Sequence, residues 1–248
     1  MLKYIRPLIP EHILYCEPYA GSAAVFFDKE PAQVEVINDL NGELVNFYHT
    51  AVNNFEELKR EVYATLHSRD THKHAMYIYN NPQFFSNVKR AWAVWSLSKQ
   101  GFSGILSGSF SYSKKKNIKP TKINNAKLAF NNTLKERLES TTIESDAAIS
   151  IIKRYDDTYS FFFVDPPYVG CNMGHYNNMF NEQDLKELLD VLAGLKGKFM
   201  LTMYPNDTIK QYADNNGWNI TPVIRQVTAC MSKHQRKQEE WIIYNYSV

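Results

Sequence analysis

The sequence predicts an α/β fold, with a mostly parallel sheet that is flanked by helices and interrupted by a mostly helical insert. Two short strand-like runs, residues 13–16 and 34–37, are separated by a turn and a helical segment, which is typical of a β-α-β unit. Residues 161–164 form a wholly apolar run, typical of a strand buried on both faces of a parallel sheet. Residues 53–135 show helical patterns and polar loops but no strand pattern, so they are the predicted insert.

The first elements are recognised by the turns between them. The strand at 13–16 runs into the turn at 17–22, and an apolar segment from Ala23 begins a helix. The second strand, 34–37, runs into the turn Asn38-Asp39-Leu40-Asn41, and Asn41 is predicted to cap the next helix because its side chain can accept a backbone N–H. One face of that helix is apolar and carries Leu44, Phe47, Tyr48 and Ala51.

The remaining elements place the domain boundaries. Within the insert, helical spacing relates Val88, Ala91, Trp92 and Trp95. Strand patterns resume at residues 142–143, 161–164, 199–203 and 240–244. An amphipathic helix is predicted at Leu185, Leu188, Leu189 and Leu192. The predicted domains are therefore residues 1–52 with 136–248, and the insert 53–135.

The composition excludes several classes of protein. A net charge of +2 over 248 residues excludes a strongly basic chain, so any nucleic-acid-binding surface must be local. Three widely spaced cysteines, Cys16, Cys171 and Cys230, fit a reducing compartment and packing roles. Because no apolar stretch is long enough for a membrane span and no signal-peptide pattern is present, we expect a cytoplasmic protein without a membrane partner. The histidines form no ligand pattern, so no metal is expected.

The tetrapeptide Asp165-Pro166-Pro167-Tyr168 directly follows the buried strand 161–164 and predicts a reaction centre. Ligands of parallel sheets bind beyond the carboxyl ends of the strands, where Asp165 would stand. The prolines restrict the backbone there. A carboxylate and a carbonyl that converge on one point can accept both hydrogens of a planar amino group while its heterocycle stacks on the Tyr168 ring. The motif therefore predicts a site that activates an amine.

A second pocket is predicted at the first two strands. In doubly wound sheets the ligand lies where the first strand turns into its helix, and an acid at the end of the second strand typically receives ribose hydroxyls. Gly21 and Asp39 occupy these two positions. Ala23 stands where a second glycine of such a turn would be expected.

These motifs resemble those of the Dam-type DNA adenine N6-methyltransferases of bacteria and phages, over nearly the whole chain. The turn Glu17-Pro18-Tyr19-Ala20-Gly21-Ser22-Ala23 is similar to the family turn that cradles S-adenosylmethionine (SAM), which implies that Tyr19, Ala20, Gly21 and Ser22 bind this cofactor. The resemblance implies a ribose contact for Asp39 and contacts to the cofactor's adenine for Asp146 and Ala147. It makes Asp165, Pro166 and Tyr168 the expected catalytic residues of a Rossmann-like methyltransferase.

The insert resembles the family's target-recognition segment. Gly101-Phe102-Ser103-Gly104-Ile105 is similar to the hairpin that contacts the target, and Phe102 falls where an aromatic ring wedges beside the flipped base. The basic flank at Lys114, Lys115 and Lys116 suits DNA phosphates, although a solvated lysine loop has the same composition. The expected DNA-binding residues are therefore Phe102, Ser103, Lys114, Lys115 and Lys116, and the expected partner is double-stranded DNA that contains the target adenine.

The chain departs from the family pattern in two places. Residues 3–10 resemble only the part that follows the family's N-terminal glycine and lysine motif, and no counterpart of that motif is present. Ser107 stands where members that read GATC place an arginine, so GATC is not the expected site.

The expected function is site-specific transfer of a methyl group from SAM to N6 of a flipped-out adenine, with no metal and with a possible cognate restriction endonuclease. A cytosine N4-methyltransferase usually begins the catalytic motif with Ser, so Asp165 favours adenine. A protein-glutamine methyltransferase would begin it with Asn and would have no use for a DNA-binding insert. The alternative of another class is a DNA-binding methyltransferase-like protein with weak or no activity, because the N-terminal SAM motif is missing.

Overall fold

A computed structural model describes residues 1–169, 180–227 and 236–248. Cys171 and Cys230 lie outside these residues, whereas Cys16 is buried and free, as expected for a packing role. The described chain divides into two compact units, Met1–Leu40 with Glu144–Val248, and Asn41–Ile143. In the part of the chain that the structure describes, no helix is both long and apolar enough to cross a membrane.

Within the described residues, seven strands form one sheet. They are β1 (Leu14–Glu17), β2 (Val34–Asn38), β3 (Thr142–Glu144), β4 (Ser160–Val164), β5 (Lys198–Met203), β6 (Asn219–Val227) and β7 (Arg236–Tyr244). Their order in the sheet is β3-β2-β1-β4-β5-β7-β6. The pairs β1–β2, β1–β4 and β4–β5 are parallel, and β7 is antiparallel to both β5 and β6. The predicted α/β fold with a mostly parallel sheet is confirmed.

The helices alternate with these strands or cluster in the inserted unit. They are α1 (Leu2–Ile5), α2 (Ala24–Asp28), α3 (Gly42–Asn53), α4 (Phe55–Ala64), α5 (Arg69–Asn80), α6 (Asn87–Gln100), α7 (Ile118–Ala129), α8 (Asn132–Glu139), α9 (Ala148–Tyr155), α10 (Glu182–Ala193) and α11 (Asp207–Asn216).

The core of the first unit explains the run 161–164. All five residues of β4 are buried, and Phe162 packs with Leu188 of α10 and Leu201 of β5 in one apolar cluster. The predicted amphipathic helix is α10, and its four leucines are fully buried. Burying a side chain of this size contributes about 1.5–3 kcal/mol relative to leaving it exposed. The apolar strand therefore fixes the position of the residue that follows it, Asp165.

Strand β6 was not predicted from the sequence. Pro222 interrupts its apolar pattern, and proline is normally confined to sheet edges because it cannot donate a ladder hydrogen bond. In the structure β6 is the outermost strand beside β7, with Pro222 opposite Trp241. The edge position explains why the proline is compatible with a strand.

The second unit is built around α6. Its side chains Ala91, Trp92 and Trp95 are buried, as the helical spacing predicted. Asn41 caps α3, since its side-chain oxygen accepts a hydrogen bond from the Glu43 N–H at 3.0 Å, and this prediction is confirmed. The unit spans residues 41–143 and so includes α3, which the sequence assigned to the other domain. The predicted limits of the insert, 53 and 135, lie inside this unit.

Candidate active site

Acidic residues lie where neighbouring parallel strands end. Glu17 is the last residue of β1, Asp39 follows β2, and Asp165 follows β4. The three strands are adjacent in the order β2-β1-β4 and run in the same direction. Their carboxyl ends therefore meet at one edge of the sheet, which is where ligands bind in folds of this class.

Asp165 is exposed at this edge and its carboxylate is oriented by a neighbour. The hydroxyl of Thr202 donates a hydrogen bond to Asp165 Oδ1 at 2.6 Å. Thr202 lies on β5, which pairs with β4, and its side chain is buried. A charge-assisted hydrogen bond of this length restricts the rotation of the carboxylate. Asp165 is thus presented in a defined orientation.

Tyr168 is half-buried and is contacted at two points. Its hydroxyl donates a hydrogen bond to Glu240 Oε1, and its ring centroid lies 4.3 Å from that of Tyr204 at an interplanar angle of 70°. Burial, the nearby Asp165 charge and the bond to Glu240 raise the pKa of Tyr168. The hydroxyl therefore stays protonated and remains a donor.

The turn after β1 adopts the conformation that its glycine allows. Gly21 has φ +51°, and its N–H donates to Asp39 Oδ2 at 2.8 Å. A Cβ at Gly21 would meet no heavy atom within 4 Å, so the space beside this turn is open. Ala23 has φ +50°, a left-handed conformation that costs an L-residue roughly 1–2 kcal/mol. Glycine would adopt the same conformation without this cost.

Asn38 ties the first turn to the loop that follows β3. Its Nδ2 donates to the carbonyl oxygens of Pro18 at 2.8 Å and Asp146 at 3.0 Å, and its Oδ1 accepts the Asp146 N–H at 2.9 Å. Only 1% of Asn38 is exposed. Since these bonds join the ends of three strands, Asn38 sets the spacing between Asp39 and Asp146.

Asp146 and Ala147 follow β3, as predicted. The Ala147 N–H donates to Asp146 Oδ1 at 2.7 Å, and Arg154 pairs with Oδ2 at 2.9 Å. These two contacts lower the pKa of Asp146, the backbone hydrogen bond more than the arginine. Asp146 is therefore an ionised acceptor at neutral pH.

Glu17 is a fully buried acid at the end of β1. Its Oε1 accepts hydrogen bonds from the Tyr15 hydroxyl at 2.5 Å and the Phe26 N–H at 2.6 Å. Burial outweighs these bonds and raises the pKa of Glu17 to about 8. The residue holds the strand end and the start of α2 together.

The predicted DNA-binding residues lie in the second unit, on a hairpin and the loop that follows it. The Phe102 N–H donates to the Ser109 carbonyl at 2.8 Å and the Ser111 N–H to the Gln100 carbonyl at 2.8 Å. Ser103 has φ +57° at the tip, where the Phe102 ring is 45% exposed. The exposed residues beyond the hairpin include Lys114, Lys115 and Lys116. The hairpin thus presents an aromatic tip and a basic flank.

A comparison with protein families finds a match over most of the chain. The model of the D12 class N6 adenine-specific DNA methyltransferases matches residues 1–229. The chain belongs to this family. As a D12-class methyltransferase, it is an adenine-specific DNA methyltransferase whose methyl donor is SAM.

Two relatives of this D12-class methyltransferase are similar over most of its length, and a third is similar over less than half of it. It is 25% identical to the type II methyltransferase M1.LlaDCHI of Lactococcus lactis subsp. cremoris, over 99% of this chain and 91% of that protein. It is 24% identical to the type II methyltransferase M.CviBI of Paramecium bursaria Chlorella virus NC1A, over 86% of this chain and 82% of that protein. It is 28% identical to the DNA N-6-adenine-methyltransferase of Escherichia phage P1, over 42% of this chain and 14% of that protein.

The residues at the sheet edge of the D12-class methyltransferase fit SAM. The open space beside Gly21 admits a ligand next to the turn, and the carboxylates of Asp39 and Asp146 supply acceptors for hydroxyl and amino groups. Among the residues that the structure describes, no group of three or more His, Cys, Asp or Glu side chains is arranged to hold a metal ion.

The residues that hold the site of this D12-class methyltransferase were not predicted from the sequence. Thr202 and Glu240 stand in strands far along the chain from the motif they contact. A polar residue inside an otherwise apolar strand is the signal that marks Thr202, whereas Glu240 follows four polar residues of β7 and carries no such signal. Asn38 was assigned only to a turn, although an amide beside a strand-end acid is a frequent loop anchor.

We expect the protonation of Glu17 to make stability depend on pH. The folded protein holds this proton up to about pH 8, whereas the unfolded chain releases it near pH 4.5, so the free energy of unfolding decreases as pH rises between these values. In Glu17→Gln the amide oxygen still accepts both hydrogen bonds but cannot ionise. Thermal unfolding from pH 5 to pH 9 should therefore show the largest gain of Glu17→Gln over the wild type at pH 8–9. The exposed Glu11→Gln is the control; parallel curves for all three proteins would contradict this assignment.

We expect Gly101→Ala to disrupt the hairpin. An added Cβ would lie 2.6 Å from the Ile105 carbonyl oxygen and 2.8 Å from that of Leu97, so the backbone must shift. Overpacking of this kind costs about 1–3 kcal/mol, and DNA affinity should fall by about tenfold. Fluorescence anisotropy with duplex DNA measures this change. Gly42→Ala is the control because a Cβ there meets nothing within 4 Å; equal affinities of the two variants would exclude a role for the hairpin.

Proposed function

We propose that the protein methylates adenine N6 within one short DNA sequence, with Asp165, Pro166 and Tyr168 as its catalytic residues. The observation that carries this proposal is the Asp165 carboxylate, exposed after a buried strand and oriented by Thr202. In the intact duplex the amino group of adenine is paired, so the base must flip out before it can react. Tyr168 then stacks on the flipped base.

The chain's own residues activate the amine by accepting its hydrogens. The Asp165 carboxylate and the Pro166 carbonyl each accept a hydrogen bond from one N–H of the amino group, which localises the nitrogen lone pair. SAM, when bound, supplies an electrophilic methyl group on a positively charged sulfur. Holding the amine in line for attack accounts for much of the acceleration. The departing proton passes to Asp165 or to water.

The cofactor-binding residues are assigned to the other strand ends of the first unit. The turn of Tyr19, Ala20, Gly21 and Ser22 borders the open space and is assigned to SAM. Asp39 is assigned to the ribose hydroxyls, which is the role of an acid at the end of the second strand. Asp146 and Ala147 are assigned to the cofactor's adenine, because an ionised carboxylate and a backbone N–H suit its amino group and ring nitrogen.

The second unit is assigned to target recognition. Phe102, with its ring exposed at the hairpin tip, is proposed to wedge into the duplex beside the flipped base. Ser103 can donate to or accept from a base edge. Lys114, Lys115 and Lys116 are exposed and are proposed to bind phosphates.

We expect replacement of Lys114, Lys115 and Lys116 by alanine to weaken DNA binding and reduce its salt dependence. Each lysine that contacts a phosphate contributes about 0.9 to the slope of log affinity against log salt. Titrations from 50 to 200 mM NaCl measure the slope. A control variant with Lys153, Lys186 and Lys196 replaced has the same charge but alters exposed lysines of the first unit. An equal change of slope in both variants would mean that the lysines act through net charge alone.

The relatives named as type II methyltransferases support a role beside a restriction endonuclease. We propose that methylation protects a site which such an endonuclease would otherwise cut, in the cytoplasm of a bacterium or of a phage-infected cell. Sequencing the DNA of methylation-deficient cells that express the protein would identify the site. Nearly complete N6 methylation of one short motif is expected; methylation spread over unrelated sequences would contradict site specificity.

A further inference from the structure

Tyr168 is held by Glu240 of β7 and by Tyr204, which directly follows β5, and we propose that these two are positioning residues that fix its ring for stacking on the target adenine. The inference rests on the proposed catalytic role of Tyr168. Neither residue needs to touch the substrate, because both act through the tyrosine.

Glu240 anchors one end of the ring. Its carboxylate accepts the hydrogen bond of the Tyr168 hydroxyl, and only 3% of the residue is exposed. Burying a carboxylate is unfavourable unless hydrogen bonds compensate, so this pairing is strongly preferred to an unpaired arrangement. The backbone at Glu240 pairs with Val223 of β6. The acceptor is therefore fixed by the sheet.

Tyr204 contacts the ring itself. It follows β5, one residue beyond the pair Met203 and Trp241, and so lies beside Glu240 at the same end of the sheet. The two tyrosine rings meet edge to face with centroids 4.3 Å apart, an arrangement that aromatic rings favour. One contact at the hydroxyl and another at the ring restrict both the swing and the rotation of Tyr168.

A ring that is fixed before DNA arrives loses no further rotamer freedom when the base stacks on it. Loss of the anchor should therefore affect stacking of the flipped base and methyl transfer, while SAM binding is unchanged. If the anchor served folding alone, its loss would change the stability of the protein without changing how the flipped base stacks on Tyr168. These two outcomes can be measured separately.

The test compares Glu240→Met, Glu240→Gln, Tyr168→Phe and the double variant Glu240→Met/Tyr168→Phe with the wild type. Single-turnover methyl transfer, the fluorescence of 2-aminopurine at the target position and the SAM dissociation constant are measured. Glu240→Met and Tyr168→Phe should each slow transfer by about tenfold, the loss of one hydrogen bond to a charged group, and the double variant should be no slower. Glu240→Gln should retain most of the rate, because its amide oxygen still accepts the bond.

Glu239→Met is the matched control. Glu239 is the adjacent exposed residue, whose carboxylate accepts the Trp241 Nε1–H at 2.7 Å, and its replacement should leave transfer unchanged. Losses that multiply in the double variant, or a wild-type rate in Glu240→Met, would overturn the proposal. If Glu240→Met fails to fold, Tyr168→Phe removes the same bond from the other side and decides the question. A wild type that methylates no adenine would contradict the proposed function instead.

Discussion

Asp165→Ala is expected to lower methyl transfer by about 10²- to 10³-fold, the size of effect seen when one preorganised hydrogen-bonding group of an active site is removed. The variant can no longer accept an N–H of the target amine. Its SAM affinity should stay within about twofold of the wild type, a change of only about 0.4 kcal/mol, because the residues proposed to bind SAM lie at other strand ends. Single-turnover assays with labelled SAM, together with calorimetric titration of SAM, measure both quantities.

Asp207→Ala is the control for this experiment, since it removes an exposed carboxylate from the same unit at the start of α11. Thermal unfolding should also be recorded, because Asp165→Ala takes away the acceptor of the buried Thr202 hydroxyl. Transfer by Asp165→Ala at the rate of the Asp207→Ala control would contradict the catalytic assignment.

Asn38→Asp is expected to reduce both stability and SAM affinity, although the two side chains have nearly the same shape. The carboxylate introduced at position 38 cannot donate to the buried Pro18 carbonyl or the partly buried Asp146 carbonyl, and it places negative charge against both. Breaking a buried network in this way costs about 3–5 kcal/mol. Because Asn38 spaces Asp39 and Asp146, SAM affinity should fall by about tenfold or more, since each tenfold corresponds to about 1.4 kcal/mol.

Urea unfolding and SAM titration measure the two effects of Asn38→Asp. Asn216→Asp makes the same chemical change on the exposed end of α11, where Nδ2 has one hydrogen bond to the Tyr212 carbonyl. It should alter stability by less than about 0.5 kcal/mol. If the two variants lose equal stability, Asn38 does not have the anchoring role inferred from its three hydrogen bonds.

The strand ends of this protein could be predicted from the sequence because each is marked by a local pattern of residues. The apolar run before Asp165 predicts a strand and the sheet edge at which Asp165 lies. The strand pattern before Asp39 predicts the same for Asp39. Asn41 was predicted as a cap on similar grounds, because capping involves only the next residues along the chain.

Contacts between residues of neighbouring strands could not be predicted in the same way. The bond from Thr202 to Asp165 depends on the register of β4 and β5, and the bond from Tyr168 to Glu240 depends on β7 lying beside β5. Neither register is encoded by residues close to the motif. The antiparallel edge formed by β7 and β6 follows only from the assembled sheet, so its buried acid was missed.

The position of the transferred methyl group distinguishes adenine N6 methylation by Asp165 from every alternative function. The purified protein is incubated with duplex DNA and SAM that carries a deuterated methyl group, and the nucleosides and the intact protein are analysed by mass spectrometry. Labelled N6-methyladenine is expected with the wild type, and almost none with Asp165→Ala. Label on cytosine N4 or on protein, or saturable DNA binding with no methylated nucleoside, would contradict this function.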